Sequence, residues 1–210
     1  MKEVNRILVL APHPDDGEFG AGGSLKRWTE EGKDVHYVAF SPCLKSLPEG
    51  SEPDRLYHEL LKATGILGLN PNNVRVLDFP VREFPANRQL ILDTLLGLKK
   101  EINPDLVLMP NSHDVHQDHQ VIHREGIRAF KHASLIGYEL PWNNLTVINN
   151  FHVTLDRNHI DAKMRALHEY SSQKGRPYMN DEFFFGLAKT RGIQVNTDYA
   201  EAFELIRYVV

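Results

Sequence analysis

Short apolar runs rich in β-branched residues alternate along the chain with longer stretches in which apolar residues recur every three or four positions. The first pattern marks buried strands and the second amphipathic helices, and their alternation is that of βαβ units closing a parallel sheet. Arg6 to Leu10, Val35 to Phe40, Val74 to Leu77 and Leu106 to Met109 read as strands. Ser24 to Gly32, Asp54 to Leu67, Leu90 to Lys100 and Gln117 to Ala133 read as helices, the third closed by Asn103-Pro104. Beyond Ser134 the rhythm changes. Ile136 to Leu140, Leu145 to Leu155 and Phe203 to Val210 look extended, and helical stretches fall at Ala162 to Tyr170 and Phe183 to Lys189. The prediction is an α/β fold, a mostly parallel sheet flanked by helices with a small C-terminal α/β elaboration.

The order of elements resembles a Rossmann-like fold. No linker-like composition, internal repeat or low-complexity tract interrupts it, so residues 1–210 are expected to form a single domain. A chain of 210 residues that is 41% hydrophobic and 25% charged has enough apolar surface for a real core and is not of the disordered, collagen-like or coiled-coil type. With a net charge of -4 and no run of five or six like charges, a nucleic-acid partner is not expected. The longest apolar run near the start, Ile7 to Ala11, is too short for a signal-peptide core or a membrane span, so a soluble cytoplasmic protein with no membrane partner is expected. The single cysteine, Cys43, agrees with a reducing compartment and excludes a sulfur-rich zinc site. Eleven histidines stand out against this, because imidazole is both a physiological acid/base and a ligand for zinc-like metals.

Two clusters hold the informative ones. The first strand runs into Ala11-Pro12-His13-Pro14-Asp15-Asp16-Gly17-Glu18, which places an imidazole and three carboxylates just past the carboxyl end of a strand, where open α/β sheets bind ligands. Flanking prolines stiffen that turn. Of two consecutive carboxylates, one can ligate a cation while the other accepts a proton from water. The competing reading is a helix N-terminus, where the acids would cap free amides and favour the dipole. Gly17, Gly20, Gly22 and Gly23 do not have dinucleotide-loop spacing, and three acids would repel a pyrophosphate; these glycines fit close backbone approach instead.

The second cluster, His113-Asp114-Val115-His116-Gln117-Asp118-His119, follows the strand Leu106 to Met109 and reaches the same sheet edge. His116 and His119, three apart, share a face on a first helical turn, with Asp118 available to orient a ring. Two such clusters converging from about a hundred residues apart suit a catalytic metal site of three protein ligands with an open position. The remaining histidines are scattered, as structural or solvated residues are.

Pro12-His13-Pro14-Asp15-Asp16 and His116-Gln117-Asp118-His119 resemble the two motifs of the PIG-L / LmbE-like zinc-dependent N-acetylglucosaminyl deacetylases. Further matches at Leu67-Gly68, Asn103 to Val107, Lys163 to Gln173 and Tyr199 to Phe203 extend the resemblance over nearly the whole chain. It implies that His13, Asp16 and His119 bind the metal, that Asp15 is the general base, and that Asp118 and His116 form a supporting pair, with His116 held protonated by Asp118. It further implies Zn2+, or another divalent transition metal such as iron or cobalt, and an N-acetylated sugar as the small-molecule partner. Family members range from monomers to larger oligomers, so a homo-oligomer is compatible.

The chain departs from the family pattern in places. Gly17 stands where some relatives have Glu, Ser41-Pro42-Cys43-Leu44 replaces a Thr-x-Gly loop, and Tyr170 replaces a histidine. Arg55 lies one residue out of register with a sugar-contacting arginine of relatives and is the candidate substrate-binding residue. The expected reaction is metal-dependent removal of an N-acetyl group from an N-acetylglucosamine-type sugar or conjugate. The alternatives are an amidase acting on a thiol-sugar conjugate and a non-catalytic metal-containing carbohydrate-binding protein.

Overall fold

A computed structural model describes residues 3–47 and 50–210. Strands β1 (Arg6–Ala11), β2 (Asp34–Ala39), β3 (Val74–Val76), β4 (Leu106–Pro110), β5 (Ser134–Tyr138), β6 (Phe151–Leu155) and β7 (Tyr199–Arg207) form one sheet in the order β3-β2-β1-β4-β5-β7-β6. The first five in that order run parallel. β7 pairs antiparallel with both β5 and β6, which is the C-terminal elaboration expected from the change in rhythm.

β1 and β4 alternate their side chains between two cores. Ile7, Val9, Leu106 and Leu108 face the helices α1 (Asp16–Glu30), α2 (Arg55–Ile66), α5 (Arg157–His168) and α6 (Asp181–Gln194). Leu8, Leu10, Val107 and Met109 face α3 (Arg88–Ile102) and α4 (Gln117–Ala129). Strands buried on both faces read as continuous apolar runs, which is why they were visible in the sequence.

Two elements differ from expectation. α1 begins at Asp16 rather than near Ser24, because its glycines, poor helix formers by themselves, sit where neighbours touch the helix backbone. A Cβ on Gly20 would lie 2.5 Å from the Tyr138 ring, and one on Gly17 would lie 2.5 Å from the Tyr37 ring. The stretch 145–150 is irregular and only Phe151–Leu155 is strand, since Leu145 is 91% exposed and the apolar run has no sheet neighbour to cover it. No helix among the described residues is long and apolar enough to cross a membrane.

Candidate metal centre

The chain reverses the side on which it adds strands between β3 and β4, so the carboxyl ends of adjacent β1 and β4 form the switch point at which open sheets bind ligands. The two predicted clusters leave the sheet there. Asp15 is the N-terminal flanking residue of α1, yet its side chain makes no capping hydrogen bond, and Asp16 reaches back to accept the His13 amide at 2.9 Å. Capping therefore does not explain these carboxylates.

Three donor atoms meet. His13 Nδ1 lies 3.2 Å from Asp16 Oδ2, His119 Nε2 lies 3.3 Å from the same oxygen, and the two nitrogens are 3.2 Å apart. Each ring's other nitrogen is committed to a different acid. His13 Nε2 donates to Asp118 Oδ2 at 3.1 Å, and His119 Nδ1 donates to Asp114 Oδ2 at 2.7 Å. The nitrogens that face Asp16 are thus lone-pair bearing, and three such atoms in mutual contact repel unless a proton or cation lies among them. Tetrahedral bonds of about 2.0–2.1 Å to nitrogen and oxygen place neighbouring ligand atoms about 3.3 Å apart, so the triangle has the size of one face of a zinc-type site. The donor set fits a divalent cation.

The local electrostatics favour positive charge at this point. Burial opposes charging His119, but Asp16 and Asp114 outweigh it and lift the ring to about 10. Burial likewise opposes charge on His13, and Asp16 and Asp118 raise it overall. Burial would raise Asp16, but the two imidazoles hold it well below the usual carboxylate range. Asp15 behaves oppositely: burial and the neighbouring Asp16 charge push it well above that range.

His116 flanks the start of α4, its ring centroid 4.9 Å from that of His13 and 4.6 Å from that of His119. The expected Asp118–His116 pair is not formed. Asp118 spends its carboxylate on His13 and on the amides of Arg82 at 2.6 Å and Phe84 at 3.2 Å. Only its own amide touches His116, donating to Nδ1 at 3.2 Å. Burial, with His119 and His13 nearby, pushes His116 down to about 4. It is therefore a neutral ring with its proton on Nε2, and the expectation that Asp118 holds it protonated is corrected, because the first turn of α4 points the carboxylate away from it.

These groups line a cavity of about 350 Å³ whose walls include Cys43, Arg82, Trp142, Gln173, Arg176 and Tyr178. Arg55 is not on that wall. Its guanidinium is engaged by Glu59 at 3.1 Å and Ser171 at 3.0 Å, beside a separate surface depression. Sequence reasoning missed Asp114, whose position two residues before His116 in an acid- and histidine-rich loop was the available signal. It also missed Glu18, which burial raises to about 7 against the hydrogen bonds donated by Tyr37 and Tyr170.

Comparison with known proteins decides the family. Residues 8–130, more than half of the chain, match the family described as PIG-L, GlcNAc-PI de-N-acetylase. The chain belongs to the PIG-L family. Both clusters lie inside the matched segment.

Among PIG-L relatives, the diacetylchitobiose deacetylase of Thermococcus kodakarensis is 30% identical over 63% of this chain and 52% of its own, so the chain spans about half the length of that relative. A probable N-acetyl-alpha-D-glucosaminyl L-malate deacetylase 2 of Bacillus cereus is 28% identical over 59% of this chain and 60% of its own. The structure of N,N'-diacetylchitobiose deacetylase from Pyrococcus horikoshii superposes with a TM-score of 0.80 at 20% identity, covering 97% of this chain and 84% of that one. At that identity it shows the shared fold.

Proposed function

We propose that this PIG-L protein is a metal-dependent deacetylase that removes the N-acetyl group from an N-acetylglucosamine-type sugar or sugar conjugate. The observation that carries the reading is the triangle of His13 Nδ1, Asp16 Oδ2 and His119 Nε2 with the raised carboxylate of Asp15 beside it. His13, Asp16 and His119 would hold the cation, zinc in the first instance, with iron and cobalt also suited to two imidazoles and one carboxylate. A divalent cation there supplies Lewis acidity to the amide carbonyl and to water.

The chain's own residues do the rest. Asp15, poised by burial, takes a proton from the attacking water and returns it to the departing amine nitrogen, so that acetate and a free amine leave. His116, neutral and pinned through Nδ1, presents its Nε2–H to the oxygen on which negative charge develops. Asp118 and Asp114 act through the rings they orient. The names of the relatives, a diacetylchitobiose deacetylase and a GlcNAc-malate deacetylase, support a glucosamine-based substrate. Cys43, buried and free, supports a reducing compartment.

The test is amine release from N-acetylglucosamine, diacetylchitobiose and charged N-acetylglucosaminides, before and after chelation. Release that stops with chelator and returns with added zinc, cobalt or iron is expected. No amine from any member of the set, with metal bound, would leave the carbohydrate-binding alternative.

A further inference from the structure

The cavity wall holds an aromatic pair that the proposed chemistry does not use. Trp142 and Tyr178 both line the cavity, and their rings stack at 4.3 Å with 13° between the planes. Phe19, on α1 one turn beyond Asp16, meets both at right angles, 5.1 Å from Trp142 at 84° and 5.4 Å from Tyr178 at 89°. A ring nearly equidistant from both members and perpendicular to both lies beside the stack and not over either end of it. The outer face of Trp142 therefore has no ring parallel to it among the described residues, and Trp142 is 37% exposed where Phe19 is 4% exposed.

The loop that carries Trp142 is fixed on both sides of it. Asn144 and Asn111 exchange side-chain hydrogen bonds at 3.0 and 2.9 Å, and the Leu140 amide donates to Asn144 Oδ1 at 3.0 Å. The Val115 amide donates to the Asn143 carbonyl at 3.1 Å. These bonds bracket Trp142 and tie its loop to the segment that carries Asp114 and His116, so the indole keeps a set position relative to the metal centre. Asn143 and Gln173 also line the cavity, and a flat apolar face thus stands among neutral hydrogen-bonding groups. A pyranose has the complementary surface, with C–H bonds on its faces and hydroxyls round its rim.

We infer that Trp142 is a specificity-determining residue, a platform on which the sugar ring of the substrate stacks while its acetamide reaches the metal centre. This rests on the deacetylase reading only for the identity of the stacked ring. Stacking is made alike in the ground state and the transition state, so it sets KM and leaves kcat nearly alone.

Trp142 serves as its own probe. The chain has two tryptophans, and the other, Trp28, is buried in the core. Methyl N-acetylglucosaminide titrated into the zinc-loaded Asp15→Asn protein, followed by tryptophan emission and by calorimetry, reads binding without turnover. Saturation is expected to change the emission. In that background W142A is expected to lose at least about 10-fold in affinity, the burial of an aromatic face being of that order, and W142F to retain most of it. With Asp15 restored, W142A should raise KM by a similar factor, hold kcat within about threefold of the parent's and keep the parent's zinc content. Should W142A not fold, emission from the unsubstituted indole still decides. Calorimetric binding without a change in emission, an affinity in W142A equal to the parent's, a loss confined to kcat or accompanied by lost zinc, or no binding of the sugar would overturn the platform. An emission response with the affinity loss but no amine release from the parent would keep the platform and sink the deacetylase reading; amine release without an emission response would do the reverse.

Discussion

Asp114 Oδ2 lies 2.7 Å from His119 Nδ1, and this contact decides which nitrogen of His119 faces Asp16 and His13. The same carboxylate accepts the His116 amide through Oδ1 at 2.8 Å, so one acid sets the tautomer of one ring and the backbone position of another. An imidazole whose outer nitrogen is fixed by a carboxylate is a more basic and better aimed ligand.

Replacing Asp114 by Asn should therefore weaken metal binding more than it weakens folding. Loss of such an orienting carboxylate costs about 10–100-fold in metal affinity. Competition with a chromogenic chelator checks this. An affinity equal to the parent's would show that His119 is held by the packing around it and not by Asp114.

The glycines of α1 give a second prediction with a built-in control. Gly20→Ala drives a methyl to 2.5 Å from the Tyr138 ring, whereas a Cβ on Gly97, within α3, meets nothing within 4 Å. The first change should destabilise by about 1–3 kcal/mol through overpacking, less whatever helix propensity returns. The second should stabilise by about 0.5–1 kcal/mol. Urea midpoints read both; a stabilising Gly20→Ala would mean that Tyr138 can move aside.

These glycines also show what the sequence hides. Four glycines between positions 17 and 23 lower helix propensity so far that the pattern places the start of α1 near Ser24, and only the surrounding Tyr37, Tyr138, Lys163 and Leu155 side chains explain an earlier one. The strands and the two clusters were legible because a buried parallel strand is a plain apolar run and the polar cluster follows directly on it. Leu145, Val147 and Ile148 misled in the other direction, being apolar and yet exposed. Arg55 was suggested by the resemblance alone, and Glu59 and Ser171 hold it beside a separate depression, while Arg82 and Arg176 reach the cavity from loops with no periodicity to announce them. The partner of Asp118 depends on which way the first turn of α4 faces, and that follows only from the fold.

A third prediction concerns acid stability. His123 is buried and donates through Nδ1 to the Pro110 carbonyl at 2.8 Å, and burial holds its pKa below the ordinary value despite that hydrogen bond. Its folded pKa is below its unfolded one, so its contribution is fully present above about pH 6.5 and is lost as pH falls through the lowered value. Between pH 8 and pH 5 the parent should lose more stability than His123→Gln. Parallel losses, read from urea midpoints, would remove His123 from the acid response.

The most direct test of the account is Asp15→Asn assayed for metal and for turnover on one preparation. Asp15 is proposed as the base and not as a ligand, and removal of a general base costs about 10²–10⁴-fold. The account predicts zinc content equal to the parent's with amine release reduced by at least about 100-fold. Unchanged amine release, or metal lost together with activity, would contradict it.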